Sequence, residues 1–162
     1  MRKFWLPILA LAALLTWQAP ALAGAFESDS LKFYNTEGTF EDVKQDVLDA
    51  VTNKGFVVDY TAHLGSMLNR TAKDVGAARN VYGNAQLLQF CSAVFSREAI
   101  EADPKNIVFC PYVIVVYTLD GAPDTVYVGY RKPDLVGNLA SRSALLKIEK
   151  LLDDIVRDAL DL

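Results

Sequence analysis

Within residues 107–118 the chain carries Val113, Ile114, Val115 and Val116 in succession, and this run constrains the fold more than any other feature. Branching at Cβ favours extended backbone, and successive strand residues point to opposite faces. Four apolar neighbours therefore describe a central strand covered on both faces, since an edge or one-sided strand would alternate. We expect that strand over 107–118. Asp120-Gly121-Ala122-Pro123-Asp124 reads as a turn, and 125–131 returns as the second half of a hairpin. Shorter strands are expected over 31–35, 56–61 and 85–91.

Helical periodicity appears in three places. Thr39 and Asp42 resemble a capping box ahead of Phe40, Val43, Val47, Ala50 and Val51, and Lys54-Gly55 supplies the stop. Ser92 caps a shorter helix through Phe95, Ala99 and Ile100, which Asp103-Pro104 ends. Leu145, Ile148, Leu152, Ile155, Ala159 and Leu162 recur by threes and fours in a long C-terminal amphipathic helix. Fewer than three heptads are present, so this helix lies on a sheet instead of forming a coiled-coil seam. Its polar side includes Asp153-Asp154, read here as solvated charge. Residues 63–68 form a turn or short helix, and 73–78 are a candidate for another.

These elements predict a single α+β domain over 24–162, a mostly antiparallel sheet with helices packed on one face. One helix layer leaves the second apolar face of the central strand to be covered. A homodimer partner is the simplest cover.

The N-terminus carries Arg2 and Lys3, an apolar run from Phe4 to Trp17, and then Ala21-Leu22-Ala23 after Pro20. A basic start, a short apolar core and an A-x-A site predict a cleaved secretory signal peptide over 1–23. The run is too short for an anchor, which needs about 20 apolar residues, so no stable membrane insertion is expected after cleavage. The expected address is periplasmic or secreted, where disulfides persist. Sixteen Lys and Arg against twenty Asp and Glu give −4 for the whole chain, and losing 1–23 makes it −6. That balance argues against nucleic acid as a partner.

No phosphate-binding glycine loop, dinucleotide fingerprint, nucleophile elbow or C-x-x-C occurs, and the chain holds one histidine. An enzyme is therefore not the leading reading. Chemistry concentrates in Cys91 and Cys110, each at one end of an expected strand. Antiparallel neighbouring strands bring them together as a disulfide; a parallel crossover through the intervening helix leaves two separate thiols. Free thiols in that place suit redox exchange, sulfur transfer or a soft metal. His63 and Met67 are four residues apart, a spacing that suits copper or haem ligation from one helical turn.

Several of these segments resemble the domain-of-unknown-function 302 family. They are Phe40 to Phe56, Leu88-Gln89-Phe90-Cys91-Ser92-Ala93, Glu101-Ala102-Asp103-Pro104 and Val108-Phe109-Cys110-Pro111-Tyr112-Val113. Here Cys110 precedes Pro111, where many members have the reverse order. The resemblance runs from about Leu31 to Pro133. It implies a compact α+β domain that often dimerises and, for exported members, partners in sulfur oxidation or redox metabolism. Three functions are expected in order. The first is an exported soluble binding module for a small ligand or soft metal near Cys91, His63 and Met67. The second is a thiol-based redox or sulfur-carrier protein using Cys91 and Cys110. The third is an accessory subunit stapled by a Cys91–Cys110 disulfide.

Overall fold

A computed structural model describes residues 24–162; the expected signal peptide over 1–23 lies outside the described residues. Six strands form one antiparallel sheet: β1 (Gly24–Glu27), β2 (Leu31–Glu37), β3 (Val58–Ala62), β4 (Tyr82–Phe90), β5 (Tyr112–Leu119) and β6 (Ala122–Arg131). Their spatial order is β1-β2-β6-β5-β4-β3, so the apolar run occupies a central strand, flanked by β4 and β6.

Helix α1 (Phe40–Asn53) follows the expected periodicity, and Thr39 caps it by accepting from the Asp42 backbone N–H. Ser92 caps α3 (Ala93–Ala102) in the same way through Phe95 N–H, and Asn138 caps α4 (Leu139–Ala159) through Ser141 N–H. Their apolar stripes meet one face of the sheet. Val47 and Val51 of α1, Ala99 of α3 and Leu145, Ile148 and Ile155 of α4 share a buried cluster with Leu88, Ile114, Val116, Val126 and Val128. Fully burying each such aliphatic side chain contributes about 1.5–3 kcal/mol before conformational entropy is counted. The α+β class, the antiparallel sheet and the long C-terminal helix are as the sequence implies.

Three local features differ from expectation. The strand expected from residue 107 starts at Tyr112, because Pro104–Phe109 forms a 3-10 helix. Asp103 caps that helix by accepting from Lys105 N–H, and Pro104 suits its first turn. Ile107 and Val108, apolar in sequence, are 64% and 75% exposed. Residues 73–78 are turns and bends, not a helix, whereas α2 (Leu64–Thr71) forms over the preceding candidate. The short exposed strand β1 carried no alternation to reveal it.

The second face of β5 is partly covered within the chain. Val113, Val115 and Tyr117 are half-buried, while Tyr112, Ile114, Val116 and Thr118 are buried beneath the helices. Tyr117 is shielded by its neighbours on that face: it stacks on Tyr127 at 4.9 Å and meets Phe33 and Tyr82 edge-on. Gly129 makes room for this layer, since a Cβ there would lie 2.6 Å from the Lys32 carbonyl oxygen and would collide with the Phe33 ring. Helix α2 covers only the corner at Ala85, where Gly65 allows backbone contact.

Candidate functional site

β4 and β5 are antiparallel neighbours with Phe90 opposite Tyr112, so Cys91, just past β4, and Cys110, just before β5, reach the same end of the sheet. They are joined as a disulfide with Cα atoms 6.4 Å apart. Of the two arrangements open from sequence, the antiparallel one holds. Cys110 is extended, as the proline after it favours.

The disulfide sits against the start of α3. Cys91 immediately precedes Ser92, the buried N-cap. Ser96, one turn into the helix, places its hydroxyl 3.6 Å from Cys110 Sγ and 3.0 Å from the Tyr112 hydroxyl. Burial pushes the Tyr112 phenol upward against the opposing hydrogen bond from Ser96. Both cysteines are half-buried, so the sulfurs are neither sealed in the core nor freely exposed.

Beside this group a cleft of about 210 Å³ opens where β5 begins and β6 ends. Phe109 and Pro111, the residues on either side of Cys110, line it with Val108, Tyr112 and Pro133, and Ile148 and Leu152 of α4 also contribute. Two cations border it. Lys132 is occupied, with Nζ 2.8 Å from Glu27 and 3.4 Å from Glu149. Arg131 has only an exposed partner, Asp134, at 3.6 Å. The cleft is therefore an apolar slot with Arg131, ion-paired to Asp134, in its lining. It is smaller than the roughly 300–1,000 Å³ of drug-sized sites, so it suits a small molecule.

His63 and Met67 are elsewhere. His63 occupies the N-cap position of α2 without a side-chain cap bond and is exposed; Met67, one turn on, is 39% exposed. His63 borders a separate polar depression of about 150 Å³ with Ser66 and Asn69. Ala62 pairs with Leu87, which puts His63 about 15 Å along the strands from the disulfide. The structure brings the cysteines together and leaves His63 and Met67 apart from them. Among the described residues, no group of three or more His, Cys, Asp or Glu side chains is placed to hold a metal.

Sequence reasoning missed Asp153, which is not simply solvated charge. Its Oδ1 accepts from the Tyr34 hydroxyl at 2.7 Å and the Tyr130 hydroxyl at 3.0 Å, and Lys32 Nζ lies at 2.9 Å. Burial alone would raise this carboxyl; the bonds from Lys32, Tyr34 and Tyr130 outweigh it and hold the carboxyl below its usual value. Burial beside Asp153 pushes the Tyr130 phenol strongly upward. Position was the available signal: Asp153 directly follows the buried stripe residue Leu152, which places it at the stripe's edge. Asp154 is paired with Lys150 on the outer face.

The family described as "Domain of unknown function DUF302" matches residues 33–161. A crystal structure of an uncharacterized conserved DUF302 protein from Bacillus stearothermophilus superimposes with a TM-score of 0.67 at 18% identity, covering 82% of this chain and 99% of that one. That likeness concerns the fold. No curated protein matches the chain. With four-fifths of its length matched from β2 to the end of α4, the chain belongs to the DUF302 family.

Proposed function

We infer that this protein is an exported binding module, without turnover of its own, that holds a small amphipathic anion in the cleft beside Cys110. The carrying observation is the apolar slot with the Arg131 guanidinium at its border and the Cys91–Cys110 disulfide fixing one wall. An apolar body desolvates against Phe109, Tyr112 and Leu152, and a carboxylate or sulfonate takes the guanidinium. Export is supported by the basic, apolar and A-x-A order of residues 1–23 and by the disulfide, which fits an oxidising compartment. No helix among the described residues is long and apolar enough to cross a membrane.

Benzoate is a suitable probe because its ring and carboxylate match the two parts of the slot. Titration followed by amide NMR should shift signals of residues 108–110, 112, 113, 131 and 132, saturating with a Kd of about 1 mM. Arg131→Ala should weaken this about tenfold, about 1.4 kcal/mol. Shifts scattered over the whole surface, or affinity unchanged in Arg131→Ala, would contradict the assignment.

A second reading has its own observation. Cys91 lies just before the N-cap of α3, where the positive end of the helix dipole favours a thiolate once the disulfide is opened. In that reading a partner thiolate attacks one sulfur, a mixed disulfide forms, and the partner's second thiol resolves it. The chain gains two electrons and two protons as the partner is oxidised to a disulfide.

A further inference from the structure

We propose that α2 and the turn after it, residues 63–81, form a docking surface that lays the protein on anionic phospholipid headgroups without crossing the bilayer. This goes beyond the cleft and does not depend on it. Arg70, Lys73 and Arg79 are exposed, and among the described residues none of them pairs with a carboxylate, whereas Lys54, Lys147 and Lys150 of the helix layer are all paired. Apolar side chains stand exposed between these cations: Met67 by 39%, Leu68 by 41%, Val75 by 75% and Val81 by 53%. Cations interleaved with exposed apolar side chains are the composition of a segment that sits in a membrane interface. Gly65 packs on Ala85, and helical spacing puts Met67 and Arg70 on the opposite, outward side of α2.

Charge and shape select the occupant. The whole chain carries −4, yet Asp74 is the one acidic residue between Tyr60 and Arg97. Asp120, whose backbone N–H bonds the Val81 carbonyl, faces the segment and still leaves it net positive. The acidic side of the molecule is elsewhere: Asp46 and Asp49 of α1 line a recess with Asp158 and Asp161 at the end of α4. Ala85 pairs with Tyr117 on the face away from those helices, so α2 lies across the sheet from them. Packed layers are about 10 Å apart, which puts the acidic helices about 20 Å behind α2. Screening acts over about 8 Å at physiological ionic strength, so a headgroup layer against α2 meets the cations and is shielded from the acids. Val75 stands out in a turn instead of lining a cleft. A fluid bilayer surface accepts such a projection, burying apolar side chains about 5–10 Å deep at the headgroup boundary.

Co-sedimentation of the purified exported protein with vesicles tests this. Phosphatidylcholine vesicles containing about 30% phosphatidylglycerol should carry the protein down, and phosphatidylcholine alone should not. Raising salt from about 0.1 M to about 1 M shortens the screening length to about 3 Å and should release it. A cation near an anionic surface strengthens binding about fivefold, so Arg79→Glu should weaken it at least fivefold. Arg157→Glu, on α4 in the other layer, changes the net charge equally and should leave binding unchanged. Val75→Asp should also weaken it. All three positions are exposed, and circular dichroism should show each variant folded. Equal binding to both vesicle types, no binding to either, or equal losses in Arg79→Glu and Arg157→Glu would overturn the proposal. Binding to soluble polyglutamate as tight as to the anionic vesicles would mark an acidic polypeptide as the partner and overturn it too. Benzoate shifts at the cleft should be the same in Arg79→Glu, which keeps this result separate from the cleft reading.

Discussion

Replacing Cys91 and Cys110 together by serine is expected to lower unfolding free energy by about 3 kcal/mol, the chain-entropy value for closing a loop of this length. The bonded cysteines are nineteen residues apart, and the loop between them holds α3 and the 3-10 helix. Without the link, that loop explores many more states when unfolded. The transition midpoint should fall by about 10 °C, scaled to a domain of this size. The double variant avoids a lone thiol that would couple two chains. Reducing the wild type with a dithiol should reproduce the same loss in urea titration. A change below about 0.5 kcal/mol would mean that the link does not hold these elements together.

Asp153→Asn is expected to cost about 2 kcal/mol near neutral pH, because two phenol hydrogen bonds and the Lys32 ion pair end on one carboxylate oxygen. Partial exposure, 22% for this side chain, keeps the figure below that of a sealed pair. The pH dependence has a fixed sign. Folding holds the Asp153 carboxyl below its ordinary 3.8, so its contribution is fully present above that value. It is lost as pH falls through 3.8 towards the lower folded value. Wild type and variant should therefore differ most near neutrality and converge in acid. A gap of constant size from neutral pH down to about pH 2 would show that the carboxylate charge is not responsible.

Element types were legible where local chemistry and burial agree. Thr39 and Ser92 each bond the backbone three residues on, and the apolar stripes behind them meet the core. The start of β5 was misread because Ile107 and Val108 are apolar but exposed, and the capping of Asp103 and the first-turn preference of Pro104 override hydropathy. Position in the chain hid the rest. The cleft joins residues from the 3-10 helix, β5, β6 and α4, and Asp153 of α4 meets β2 and β6 on the helix-covered face of the sheet. Such meetings depend on strand order, which no single segment encodes. For the cysteines the spacing left two outcomes, and the antiparallel pairing of β4 with β5 selects one. His63 and Met67 show the converse: helical spacing was real, yet their turn lies at the other end of β4.

The central claim is that the protein works outside the reducing cytoplasm with its two sulfurs joined beside the cleft. Mass spectrometry of protein taken from its native compartment, alkylated before any reduction, tests this most directly. The account predicts no alkylated cysteine and a single linked peptide pair containing Cys91 and Cys110. Two alkylated thiols in the native protein would contradict it.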